Sequence, residues 1–430
     1  MEQSVITVFE DRRQKCELTP GQMNDILALR HILGENRLSL SWDGVLHVRH
    51  FVGFISKGKT RLQILPKIYE NTGLSDEAEQ QEAMGVMLKL LRVSEFNKIL
   101  GLTEQSSKAE QMDIMEIFIS IYADKVFQVY SRQMNREYIT ISENSTFIKG
   151  RIDFAANLRT NPIRRDRHMV SYQSYEHDNV INNIIKSVCI KLIKLTKEPN
   201  NKKKLKIALL FLDDAREVGL TKDLFDAVKF TRLNMSFKPV FDMAKMFFYN
   251  LTPQSYQGDD TVCSFLIPLN ELFEFYLFKL FDAFGEEYKA SYQNSRAFAR
   301  SQKADFSKTV RPDILVKHLD QTILIADAKY KNPGYQNGKY VHVSQADIYQ
   351  VFAYAKIYGV DTVALIYPQF DKVASATMLV DLKDYHMNTK LVIGCIDIKN
   401  PDIEKDSAVL RKMFRFSENA RTDTCVTDPG

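Results

Sequence analysis

Hydrophobic and polar residues alternate over the first seventy positions with the two-residue period of half-buried strands. ITVFE, RLSLSW, VLHVRHFVGFI and RLQILPKI are short runs rich in β-branched and aromatic residues, punctuated by Asp43-Gly44 and Gly58. They predict a β-rich module over residues 1–70. The period then lengthens. EAMGVMLKLLRVS and MDIMEIFISIYADKVFQVYSRQM place apolar side chains three and four residues apart, the spacing of one helix face. Further helices are expected over 179–197, 203–217 and 224–250, so 71–250 reads as a mainly helical region, with a polar stretch at 143–149 leading into GRIDFAANL.

The texture changes again at residue 251. LTPQSYQGDD has linker composition, which places a domain boundary there. Beyond it come a helix (LNELFEFYLFKLFDAF), two strands (RPDILVKH, TILIADAKY), a helix (SQADIYQVFAYAKIYG) and two more strands (TVALIYP, KLVIGCIDI). That order predicts an α/β domain with a mixed sheet over 251–416, followed by a polar tail at 417–430. The fold class expected is therefore multidomain α+β.

Composition narrows the possibilities. A chain of 430 residues exceeds one compact core, and its 45% hydrophobic and 26% charged residues are those of a globular protein. No apolar run is long enough to span a bilayer, so no membrane association is expected. MEQSVITVFEDRRQ lacks the apolar core of a secretory signal, and the five cysteines form no CxxC pair. Both point to a reducing cytoplasm. The net charge of +4 is too small to imply a nucleic-acid partner, which must be argued from local clusters.

One such locality is RPDILVKHLDQTILIADAKYK, where two apolar strands flank KHLDQ, a segment of turn composition. A turn centred near Asp320 sets position 313 opposite 326 or 327, which makes Asp313 and Asp327 neighbours. Lys329, two residues after Asp327, faces the same way. Two carboxylates suit a hard divalent cation such as Mg²⁺, with waters and a substrate phosphate completing its shell. The lysine could orient a water or offset charge developing on phosphorus. Pro312-Asp313 followed by Asp327-x-Lys329 is the residue order of PD-(D/E)xK metal-dependent nucleases. The competing reading is a hairpin with solvent-facing polar ends. Glu274, on the preceding helix, and Gln350, on the following one, could complete the site or be ordinary polar residues of amphipathic helices. Just upstream, Arg296, Arg300, Lys303, Lys308 and Arg311 stand against the single acid Asp305, a patch suited to a phosphate backbone or a solvated loop.

Gly53 to Thr60 (GFISKGKT) matches the phosphate-binding loop pattern G-x-x-x-x-G-K-[ST] letter for letter. That loop must open a helix, whereas RLQILPKI alternates and contains Pro66. A hairpin turning at Lys57-Gly58-Lys59 is expected, with no nucleotide bound by this chain.

The chain resembles the McrC family, the nuclease subunit of McrBC-type restriction systems. HFVGFISKGKTRLQILPKI resembles the family's N-terminal segment, IKGRIDF its central element, and YEHDNVINNIIK a helix in which Asp178 and Asn182 are in register. RPDILV, IADAKYK and DIYQVFAYA resemble the nuclease core, and Phe51 departs from the family's usual tyrosine. The resemblance implies a Mg²⁺-dependent endonuclease acting on double-stranded DNA, with Mn²⁺ able to substitute. It also implies a separate McrB-like AAA+ GTPase ring whose hydrolysis the N-terminal part stimulates. Asp313, Asp327 and Lys329 take the catalytic positions, Asp313 and Asp327 hold the metal, and Glu274 and Gln350 join them. A regulatory adaptor of a ring NTPase with a weak or inactive nuclease domain is the alternative.

Overall fold

The computed structural model describes residues 4–58, 60–67, 75–94, 96–102, 113–251, 263–300, 307–336, 339–370, 377–383 and 388–414. The expected linker is therefore described only at residue 251, and the expected tail lies outside these residues. The chain forms two compact units, Met1–Gln111 with Ser264–Gly430, and Met112–Cys263. The divisions expected at 70 and 250 do not coincide with them. The reason is non-local pairing, which the first unit shows.

The N-terminal part of unit 1 comprises β1 (Ser4–Phe9), β2 (Arg13–Lys15), α1 (Pro20–Leu33), β3 (Leu38–Leu40), β4 (Val45–Val48), β5 (Phe51–Lys57), β6 (Thr60–Leu65), α2 (Asp76–Val93) and α3 (Phe96–Leu100). Thr19 and Gln22 form a capping box that starts α1. β5 and β6 pair antiparallel with Lys57 opposite Thr60, so Gly53 to Thr60 is the expected hairpin; Lys59 itself lies outside the described residues. Gly58 turns with φ +57°.

Unit 2 begins with α4 (Ile114–Tyr130), capped by Asp113, and continues through β7 (Glu137–Ser145), β8 (Arg151–Ile152), α5 (Phe154–Thr160) and β9 (His168–Glu176). Four helices follow: α6 (Val180–Leu195), α7 (Pro199–Leu210), α8 (Lys222–Asp226) and α9 (Lys238–Leu251). α4, α6, α7 and α9 pack together and bury Phe118, Tyr122, Val126, Ile184, Val188 and Leu205. Each such side chain contributes about 1.5–3 kcal/mol by leaving water. The expectation of a mainly helical region misses the sheet β7–β9–β8. Tyr138 and Tyr175 are exposed on it and burial in β9 is confined to Val170 and Ser171, too short a stretch to impose an apolar period. The helix expected over 224–250 is broken, and Pro239 stands in the first turn of α9, where proline suits a new start. Asn182 is fully buried, accepting from the Tyr130 hydroxyl (2.7 Å) and donating to the His177 carbonyl (2.7 Å). Asp178 pairs with Arg216 at 2.6 Å. Both motif residues thus fix the start of α6.

The chain re-enters unit 1 through β10 (Cys263–Pro268), which completes the sheet β1–β6–β5–β10. Gly53 makes this closure possible: a Cβ there would lie 1.9 Å from the Phe265 carbonyl oxygen, at a φ of +125°. Next come α10 (Leu269–Asp282), β11 (Tyr288–Tyr292), β12 (Arg296–Arg300), β13 (Ser307–Val310), β14 (Ile314–His318), β15 (Gln321–Ala328), β16 (Tyr335–Gln336) and β17 (Lys339–Tyr340). α11 (Gln345–Tyr358), β18 (Thr362–Pro368), β19 (Met378–Lys383), β20 (Asn388–Ile396) and α12 (Ile403–Met413) complete the unit. Its large sheet runs β11–β14–β15–β18–β20–β19, parallel at β15–β18–β20 and antiparallel elsewhere, the mixed sheet expected. α10 and α11 both pack against β15, the strand that carries the candidate site.

Candidate active site

β14 and β15 meet through Leu319 and Asp320, whose positive φ values (48° and 63°) follow the twist of a two-residue hairpin turn. His318 pairs with Gln321 and Ile314 with Ala326, with a register shift after Val316. Asp313 and Asp327 lie one residue beyond the Ile314–Ala326 pair and become neighbours, as the turn composition predicts. β15 is also paired in parallel with β18, and the Lys329 N–H donates to the Ile366 carbonyl (2.9 Å), extending that ladder past Ala328. The acids therefore sit at the carboxyl end of an interior strand, where α/β sheets open their crevices.

Each side chain is held. The Asp313 carboxylate accepts from the Ala328 N–H (2.8 Å), an amide next to Asp327. Asp327 is 1% exposed, with the Lys329 ammonium 2.5 Å from its Oδ2. Gln350 of α11 bridges the group: it accepts from Lys329 Nζ (2.9 Å) and donates to the Tyr354 hydroxyl (2.7 Å) and more loosely to Asp327 Oδ1 (3.4 Å). Glu274 of α10 accepts from Gln293 (3.0 Å) and Asn270 (3.3 Å). Asp347, near the start of α11, takes the Lys331 ammonium and lies 3.9 Å from Lys329.

Burial sets the electrostatics. It raises the Asp313 carboxyl well above the usual carboxylate range, and the charges of Asp327 and Glu274 push it further. Asp327 is raised by the same desolvation, partly offset by Lys329, and lies within hydrogen-bonding reach of Asp313. Glu274 is raised by burial as well, against the pull of Gln293 and Asn270. Burial draws the Lys329 ammonium down, but Asp327, Asp347 and Asp313 together outweigh it and hold its pKa above the ordinary lysine value. Concentrated negative charge in a dry crevice favours a cation.

The donor set is tested by its own atoms. Asp327 Oδ2 is buried and is met by the Lys329 ammonium 2.5 Å away, which leaves the oxygen's other lone pairs able to accept. An acceptor of this kind suits a divalent ion, and Mg²⁺ requires only one or two carboxylates besides water and phosphate. Among the described residues no group of three or more His, Cys, Asp or Glu side chains is placed to hold a metal, so Asp313 and Asp327 are the candidate ligands and Glu274 stands behind them. The arrangement can bind a divalent ion at the paired acids and set an ammonium, fixed by Gln350, beside it.

The basic segment divides. β12 and β13 form a two-stranded ribbon that prolongs β11 and β14. Arg311, at its base, donates to Gln293 Oε1 and is joined through that residue to Glu274. Arg296 donates to the Ile357 carbonyl (2.9 Å) and lies over the Tyr358 ring (5.4 Å), so α11 holds it. Lys308 is exposed and Arg300 pairs by backbone with Ser307; Lys303 lies outside the described residues. Sequence reasoning missed Gln293, Asp347 and Tyr354. Only Tyr354, one helical turn after Gln350, carried a readable signal.

No functionally curated protein matches the sequence. Solved structures do. The chain is 18% identical to one chain of a refined half-complex from a tetradecameric assembly of Thermococcus gammatolerans McrB AAA+ hexamers with bound McrC, with a TM-score of 0.76, covering 96% of this chain and 99% of that one. A chain of the cryo-EM structure of the Thermococcus gammatolerans McrBC complex is 21% identical, with a TM-score of 0.51, covering 63% of this chain and 85% of that one. These likenesses establish the fold. The sequence itself matches the McrBC 5-methylcytosine restriction system component family over residues 46–368, most of its length, and the chain belongs to that family.

Proposed function

We propose that this chain is the nuclease subunit of a McrBC-type restriction system, a PD-(D/E)xK endonuclease that cuts double-stranded DNA once assembled with an McrB-like AAA+ GTPase ring. One observation carries the reading: Asp313, Asp327, Lys329 and Gln350 converge at the end of an interior strand, with the Lys329 ammonium 2.5 Å from the buried Asp327 carboxylate. Asp313 and Asp327 would hold Mg²⁺, with Mn²⁺ able to substitute. The bound ion would polarise the phosphodiester and lower the pKa of a coordinated water.

The chain's own residues do the rest. Lys329, kept protonated by its carboxylate neighbours, stabilises charge developing on the phosphate oxygens. Gln350 fixes the direction of that ammonium through its 2.9 Å hydrogen bond. Glu274 and the Gln293–Arg311 pair line the approach, and the basic residues Arg296, Arg300, Lys308 and Arg311, with Lys303 of the same segment of sequence, are the proposed contacts to the DNA backbone.

Partner binding is assigned to unit 2, which contains none of these acids. The β7–β8 connection exposes Phe147 and Ile148, α5 exposes Phe154 and Leu158, and the loop after α5 exposes Ile163, each more than half accessible. Apolar side chains at that density suit a protein surface. This favours a second role, stimulation of the ring's GTP hydrolysis, alongside cleavage. Lys329→Met tests the assignment. In the assembled complex it should lose cleavage and keep GTPase stimulation; retained cleavage rejects Lys329 as catalytic, and loss of both shows an assembly defect.

A further inference from the structure

Unit 1 carries a second concentration of positive charge, away from the acid site. In the sheet β2–β4–β3 the side chains of Leu38, Leu46 and Val48 are buried. The residues alternating with them turn to the opposite face: Arg13 and Lys15 on β2, Ser39 on β3, Val45 and His47 on β4. Arg13 and Ser39 flank His47, and Lys15 lies opposite Val45. The Arg49 N–H donates to the Arg37 carbonyl (2.9 Å), adding a third row of the same parity.

Arg13, Lys15, Arg37 and Arg49 make no ion pair with any described carboxylate. Arg37 lies over the Phe51 ring (5.0 Å), and the nearby Asp11 carboxylate is taken by His47 (3.1 Å). Glu35, two residues before Arg37, is paired with Arg30 (3.3 Å), and Glu17 and Asp43 adjoin the face in sequence. Trp42 sits on the turn joining β3 to β4, 93% exposed and the chain's single tryptophan. At the opposite end the His50 carbonyl accepts from the N–H of Leu269, the first residue of α10 (3.2 Å). Glu274 follows five residues later, about 8 Å along the helix axis. The charged face thus runs from an exposed aromatic ring to the helix that bears a site carboxylate.

We propose that this face is a second DNA-contacting surface, gripping the backbone of the duplex that the acid site cuts; it rests on the reading of DNA as that site's substrate. Unpaired cations on a rigid sheet suit a polyanion that releases counterions on binding. An indole beside them can lie against the sugar edge of the backbone at the end of the footprint, next to the phosphates the cations meet. An acidic protein would satisfy the same cations; continuity of the face with α10, which carries Glu274 of the acid site, favours the duplex.

The single tryptophan makes the test local. The full-length chain, in chelator so that no strand is cut, is titrated with an unlabelled duplex of about 25 base pairs while Trp42 emission is read. Anisotropy of a labelled duplex is followed in parallel. Saturable quenching that weakens with salt is expected. Arg13→Ala, Lys15→Ala, Arg37→Ala and Arg49→Ala combined should weaken binding at least ~10-fold and flatten the log–log salt slope by about 3–4, since each phosphate contact contributes about 0.9. The milder Arg13→Ser with Lys15→Ser, both on exposed positions, should flatten it by about 2. Unchanged Trp42 emission on a bound duplex, an unaltered slope, or no saturable binding at low salt overturns the proposal. So does quenching by polyglutamate but not by duplex. Asp327→Ala should leave the quenching intact. If Trp42 is quenched and the wild-type complex still cuts nothing, the nuclease reading fails and this surface stands.

Discussion

Asp313→Asn should stabilise the isolated protein at alkaline pH while removing a metal ligand. The asparagine keeps the shape of the side chain, and its amide oxygen can still accept from the Ala328 N–H. Two unit charges on the order of 5 Å apart, at an effective dielectric of about 20, repel by about 3 kcal/mol. Replacing a charge-assisted acceptor by a neutral one returns about 1 kcal/mol. The expected net gain is therefore at least about 2 kcal/mol once both acids ionise, because relief of the burial cost of the charge adds to it. Its pH dependence has a definite sign. Burial, then Asp327 and Glu274, push the folded Asp313 up to about 8, whereas an unfolded aspartate titrates near about 3.9. Below pH 4 both states hold the proton and the charge contributes nothing. Between the two values only the folded state holds it, so wild-type stability falls as pH rises. The advantage of asparagine should be small at pH 4 and grow through pH 8. Urea unfolding followed by far-UV circular dichroism at pH 4.5 and 8.5 measures it; tryptophan emission would not, because Trp42 is already exposed. A variant less stable than wild type at pH 8.5, or a difference that shrinks with rising pH, refutes the reasoning.

Millimolar Mg²⁺ should raise the wild-type unfolding midpoint at pH 8, and should not do so for Asp313→Asn; equal shifts in both would place the ion elsewhere. Gln350→Leu removes the acceptor that orients Lys329 and should slow cleavage by the assembled complex about 10–100-fold with ring binding unchanged, read in a single-turnover assay. Gly53→Ala forces a Cβ into the Phe265 carbonyl and should cost about 3 kcal/mol or prevent folding, seen as loss of soluble protein.

The hairpin was legible because its turn and its alternation agree. Leu319 and Asp320 lie between two apolar runs, and the register they impose leaves Asp313 and Asp327 as the next neighbours. Gln350 was legible too, since the helical period of α11 fixes which positions face β15. Gln293 was not: it follows β11 in an irregular stretch, and its role depends on the meeting of Glu274 with Arg311 in space. The discontinuous unit was likewise hidden. The pairing of β5 with β10 joins segments some two hundred residues apart, and nothing local in CSFLIP names its partner. β7 and β9 were missed for a different reason. Apart from Val170 and Ser171 their residues are at least partly exposed, so polar residues interrupt the alternation that would have marked them.

The proposed function stands or falls on cleavage of DNA by the paired acids under control of a partner ring. Its most direct test is cleavage of a modified plasmid by the purified chain together with its cognate GTPase ring, Mg²⁺ and GTP, comparing wild type with Asp327→Ala. Double-strand breaks are expected with wild type only, with equal stimulation of GTP hydrolysis by both. Breaks made equally well by Asp327→Ala would contradict it.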